Sequence, residues 1–145
     1  VCGSGGAPAA ELEAAEAVGR ALAARGAVVV CGGRGGVMEA ACRGAKAAGG
    51  TTLGILPGYE RAEANEFVDV AVATGLGEAR NALVVRAADA VVAVGGEWGT
   101  LSEIALALRA DKRVVGLGTW DLPESGGRGI VVASSPDEAV ALALG

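Results

Sequence analysis

The chain has 145 residues, of which 52% are hydrophobic and only 3% aromatic, with a formal net charge of −5 and no histidine. That length points to one domain over residues 1–145, and the shortage of rings and of clustered cations argues against a nucleic-acid partner. Lacking histidine, it offers neither the usual Cys/His zinc site nor the commonest general base, and no metal is expected.

Three cysteines, Cys2, Cys31 and Cys42, show no C-x-x-C spacing and read as small buried residues of a reducing, cytoplasmic setting. No apolar run approaches the roughly 20 residues of a membrane span, so neither a membrane partner nor a leader is expected. The 25 glycines gather at the ends of apolar runs, which marks tight turns.

Val1-Cys2 reads as the end of a first strand, and Gly3-Ser4-Gly5-Gly6 as the turn after it. Pro8 suits the first position of a helix. Leu12, Ala15, Val18 or Gly19, and Leu22 then recur at helical spacing, Glu16 and Arg20 stand four apart, and Gly26 ends the run. Residues 27–31 form a continuous Val-rich stretch, as in a strand buried on both faces. Gly32-Gly33-Arg34-Gly35-Gly36 follows, and a helix is predicted over 37–48, with Glu39 placed to pair with Arg43. Strand 51–55 closes at Pro57-Gly58; strand 68–72 leads to a helix over 78–88 with Arg80 and Asn81 near its start. Strand 90–94, helix 100–110, strand 114–117, a polar loop over 123–129, strand 130–132 and a helix opened by Ser135-Pro136-Asp137-Glu138 complete the chain.

Strands and helices alternating through short links predict an α/β fold: a doubly wound, mostly parallel, Rossmann-like sheet with helices on both faces. Ligands of such sheets sit outside the carboxyl ends of the strands. Three of those ends carry glycine turns, and amides at a helix start favour an anion, so a phosphorylated small molecule is the expected guest. The candidate contacts are Gly3, Ser4 and Gly5 in the first turn and Gly32, Gly33, Gly35, Gly36 and Met38 at the second. Gly95, Gly96, Trp98, Gly99 and Thr100 belong to the third, and Asn81 adds a hydrogen-bonding group.

A dinucleotide fingerprint fails, because Pro8 stands where a third glycine belongs and the second strand ends in Cys31 rather than an acid. No G-K-[ST] occurs, so a Walker A loop is absent. Arg80 is a cation at a helix start, where it opposes the dipole; it is either solvated or turned into the crevice. Trp98 either stacks on a flat ring or covers its loop. Thr100-x-x-Glu103 has the spacing of a capping box, and so has Ser135-x-x-Glu138, which no glycine loop precedes. Spacing alone therefore leaves Glu103 open between cap and catalytic carboxylate.

Gly35-Gly36-Val37-Met38-Glu39, Arg80, Gly95-Gly96, Gly99-Thr100 and Glu103 together resemble the LONELY GUY-type, lysine decarboxylase-like phosphoribohydrolases, whose signature is P-G-G-x-G-T-x-x-E. The likeness runs from Gly3 to about Leu117, and is nearest to a short bacterial branch similar to molybdenum-cofactor carriers and, more distantly, to DNA-processing proteins. It implies a catalytic pair, Arg80 and Glu103, that hydrolyses the N-glycosidic bond of a nucleoside 5′-monophosphate to base and ribose 5-phosphate without a required cofactor. The alternative is a non-catalytic carrier or sensor holding molybdenum cofactor. The resemblance also implies a homodimer or larger homo-oligomer. Val94 replaces the signature proline, Glu97-Trp98 fill the place of one residue, and no histidine precedes Arg80 in Leu76-Gly77-Glu78-Ala79.

Overall fold

A computed structural model describes residues 1–145. Its strands are β1 (Cys2–Gly3), β2 (Val29–Cys31), β3 (Thr52–Leu56), β4 (Val70–Ala73), β5 (Ala90–Val94), β6 (Arg113–Leu117) and β7 (Ile130–Val132). The helices are α1 (Ala9–Ala24), α2 (Val37–Ala47), α3 (Asn81–Ala87), α4 (Trp98–Arg109) and α5 (Pro136–Leu144). Every strand pairing is parallel. The strands form two ladders, β2-β3-β4 and β1-β5-β6-β7. They meet where the Val1 nitrogen donates to the Val30 carbonyl at 2.7 Å. Strand order thus reverses direction across the β1–β5 pair, which makes the carboxyl ends of those two strands the switch point of the sheet.

Burial follows the two-residue period of a strand covered on both sides. Val92 and Val94 of β5 join Ala15, Val18, Ala41 and Val140 in one apolar cluster, beneath α1, α2 and α5. Val91 and Ala93 face the other way, into a second cluster with Val85 of α3 and Ile104 and Ala107 of α4. The α/β fold with helices on both faces is therefore present as expected from the sequence.

With few rings available, close backbone approach does much of the packing. A Cβ added at Gly19 of α1 would stand 1.9 Å from the Ala41 carbonyl oxygen, and one at Gly44 of α2 would stand 1.9 Å from that of Glu16. Only glycine permits this crossing. Glu16 bonds Arg20 at 3.1 Å as its spacing foretold, but it also takes Arg43 at 2.9 Å. The expected Glu39–Arg43 pair is therefore replaced by one that links α2 to α1. Asp69 ties β3 and α2 to the start of β4, accepting from the Thr52 amide at 2.9 Å and from Lys46 at 2.8 Å.

Two predicted boundaries shift in ways that matter for the site. Residues 78–88 do not make one helix: a 3-10 turn, Gly77–Arg80, hands over to α3 at Asn81. Gly77 donates to the Pro57 carbonyl at 2.9 Å, which holds that turn beside the end of β3. Helix α4 starts at Trp98, two residues before the predicted start. No helix is long and apolar enough to cross a membrane.

Candidate functional site

A crevice of about 760 Å³ opens outside the carboxyl ends of β1 and β5. Ten of the sequence-predicted residues line it: Gly3, Ser4 and Gly5; Met38; Arg80 and Asn81; Trp98, Gly99 and Thr100; and Glu103. Gly32 lies directly behind this wall, since a Cβ there would stand 2.6 Å from the Arg80 guanidinium and 2.7 Å from the Met38 sulfur.

The other five glycines serve the backbone that shapes the wall. Gly36, with φ +65°, passes so close to the first turn that a Cβ would sit 2.2 Å from the Ser4 carbonyl. Val37 then donates to that carbonyl at 3.0 Å, pinning the start of α2 to the first turn. Gly33 packs on Gly54 and offers its carbonyl to the Asn65 amide at 2.9 Å. Gly35 lies nearby, with the Glu39 carboxylate 3.9 Å from where its Cβ would be. Gly95 spends its amide on the Leu117 carbonyl at 3.0 Å, and Gly96, with φ +116°, turns the chain into α4 against Thr100.

The first bond of α4 runs from the Leu101 amide to the Glu97 carbonyl at 3.0 Å, and no side chain caps the helix. The amides of its first turn therefore point outward without an intrahelical acceptor, at the positive end of the dipole. Arg80 faces them across the crevice, held by a short relay. Its guanidinium donates to Asn81 Oδ1, Asn81 Nδ2 donates to Ser102 Oγ at 2.9 Å, and Ser102 donates to the Gly99 carbonyl at 2.7 Å. Arg80 Nε is buried with no partner. Ser102 escaped the sequence reading, though it stands one residue before Glu103 and faces the same crevice.

Glu103 is only 7% exposed, and it is absent from the four ion pairs of the chain, so Arg80 does not neutralise it by contact. Burial pushes its carboxyl up to about 7, with the Arg80 guanidinium pulling the other way. Burial likewise lowers the Arg80 guanidinium from its usual range, against the pull of Glu103. An unpaired carboxyl poised near neutrality, facing a half-buried cation over free amides, can hold a proton toward an anionic guest. Arg34, exposed on the rim, adds a second cation, while Glu78 and Glu97 add acid; Pro57, Ala79, Ala82 and Leu106 are apolar wall residues that the sequence did not single out.

Fold and site together define a Rossmann-like protein that presents glycine turns and a crevice at its switch point. The chain belongs to the SLOG cluster4 family, whose model matches residues 1–140. The resemblance read from the glycine turns, to the LONELY GUY-related superfamily and its short branch, accordingly holds. A solved structure of the molybdenum cofactor binding protein of the phototrophic bacterium Rippkaea orientalis is 42% identical. It covers 94% of this chain and 87% of that one, with a TM-score of 0.88. The molybdenum cofactor carrier protein of Chlamydomonas reinhardtii is 39% identical over 96% of this chain and 89% of that one, with a TM-score of 0.82. An uncharacterised protein of Archaeoglobus fulgidus is 45% identical over 85% of this chain and 78% of its own length.

Proposed function

We propose that this chain is a carrier that holds a phosphorylated pterin of the molybdenum-cofactor type in the β1–β5 crevice. The observation that carries the reading is the outward, uncapped start of α4 facing Arg80 across a space of about 760 Å³. That volume falls within the usual range for a site that encloses a small molecule. Likeness over most of both chains to two proteins described as binding or carrying molybdenum cofactor favours this cargo over a nucleotide.

In this reading the free amides of α4, with those of residues 3–5, take the phosphate, and Arg80 sets its position through the Asn81–Ser102 relay. Protonated Glu103 presents a donor, and its ionisation above about pH 7 weakens the hold on an anion. Residues 1–145 act as one binding unit, and three free, buried cysteines suit the cytoplasm.

The second reading, hydrolysis of nucleoside 5′-monophosphates by Arg80 and Glu103, draws on the same geometry, because a carboxyl beside a cation can also orient water. One experiment separates them. Purified protein is titrated with molybdenum cofactor, followed by thermal shift, and is incubated with each nucleoside 5′-monophosphate while ribose 5-phosphate is assayed. Binding without release of ribose 5-phosphate supports the carrier. Turnover that is lost in Glu103→Gln establishes the hydrolase instead.

A further inference from the structure

The chain has two tryptophans, 22 positions apart, and they meet at the mouth of the crevice. Their ring centroids lie 5.2 Å apart at an interplanar angle of 41°. Trp120 is the anchored member. It packs against the apolar cluster beneath α4, and its indole N–H donates to the Glu97 carbonyl at 3.2 Å. The preceding residue, Thr119, donates to the Gly95 carbonyl at 2.5 Å, so the β6–β7 loop grips the turn that opens α4 at two points.

Trp98 is the member whose indole makes no hydrogen bond. It is 75% exposed, lines the crevice, and stands in the first turn of α4 among the free amides. A large ring left in water forgoes the stabilisation that burial gives it. Its backing by Trp120 restricts the ring before any guest arrives, which lowers the ordering cost of binding. Glu103, only 7% exposed and in none of the ion pairs, lines the same crevice. The place that exceeds the family signature by one residue, Glu97-Trp98, is the place that supplies this ring.

We infer that Trp98, backed by Trp120, is the stacking platform for the planar heteroaromatic ring of the ligand, whose phosphate rests on the amides of α4. The inference deepens the proposed carrier reading but needs only a ring joined to an anion, so the two fail separately.

The test measures binding of three probes, molybdopterin, GMP and ribose 5-phosphate, to the wild type and to Trp98→Ala, Trp98→Phe and Trp120→Ala. Stacking on an aromatic side chain is worth enough that Trp98→Ala should weaken both ring-bearing probes by about tenfold or more. Ribose 5-phosphate should bind as before, Trp98→Phe should stay within about threefold, and Trp120→Ala should lie between. Tryptophan emission should be quenched by the ring-bearing probes and not by ribose 5-phosphate. Equal losses for all three probes, or none for the ring-bearing ones, overturn the inference. Trp98-dependent binding of GMP alone leaves it standing and removes the molybdenum-cofactor reading. Molybdopterin binding that ignores Trp98 does the reverse, and failure of both ring-bearing probes to bind ends both.

Discussion

Two stretches of this chain share the pattern Ser/Thr-x-x-Glu at the start of a helix, and they do opposite work. At Ser135-Pro136-Asp137-Glu138 the serine hydroxyl accepts from the Glu138 amide at 3.2 Å, and the Glu138 carboxylate reaches back to the Ser134 amide at 2.7 Å. Hydrogen bonds to that carboxylate from the Ser134 hydroxyl and from the Ser134 amide, in the open, lower the Glu138 carboxyl from its usual range. At Thr100-Leu101-Ser102-Glu103 the helix has already begun at Trp98, so Thr100 caps nothing and Glu103 lies a full turn inside. Burial pushes that carboxyl up, to about 7. The same four-residue spacing thus yields a cap where the helix begins on the serine, and a sequestered acid where a glycine turn starts the helix two residues early.

The contrast can be attacked from its functional side first. Arg80→Met should weaken a phosphate-bearing ligand by about a hundredfold, the usual scale for removing one partner of a buried charged contact. Arg113→Met, which loses only a bond to the Leu142 carbonyl near α5, should leave that affinity unchanged. Calorimetric titration of both variants decides whether the crevice or general charge holds the ligand.

Stability against pH is the next lever. The native state keeps the Glu103 proton to about 7, while the unfolded chain releases it near 4.5. Its contribution is therefore complete below about 4.5 and is lost as pH rises through 7, a change on the order of 3 kcal/mol. Urea denaturation at pH 4.5 and pH 8 should show that loss in the wild type, and Glu103→Gln should abolish it. Ser135→Ala should cost roughly 1 kcal/mol at either pH, the ordinary worth of an N-cap. The smallest effect belongs to Glu138→Gln. Because the native pKa of Glu138 is lowered, its contribution is present above the unfolded value and disappears as pH falls through the folded one. The melting difference between wild type and Glu138→Gln should accordingly vanish in acid, the opposite sense to Glu103.

Much of the architecture was legible because it rests on local rules. The Val-rich runs of β2, β5 and β6, the glycine turns after β1, β2 and β5, and the alternation of strands with helices foretold a parallel sheet with a crevice at the carboxyl ends of its strands. Arg80 was singled out as a cation at a predicted helix start and Glu103 by the glycine turn that precedes it, and both line the crevice. Boundaries were less legible: the start of α4 depends on Gly96 folding back against Thr100, and the Gly77–Arg80 turn on a bond to Pro57, contacts that spacing does not encode. Arg43 chose Glu16 over Glu39 because the glycine crossing of α1 and α2 brings a distant acid within 2.9 Å.

Composition, periodicity and turn chemistry were thus sufficient for the fold class and for the rim at which the crevice opens, since these follow from the burial of apolar runs and the short reach of glycine turns. Which residues form the wall, which carboxyl loses its solvent, and that Trp120 comes to lie behind Trp98 were settled by packing between segments far apart in the chain. Burial and proximity are properties of the assembled sheet and its helices, and no stretch of sequence carries them alone.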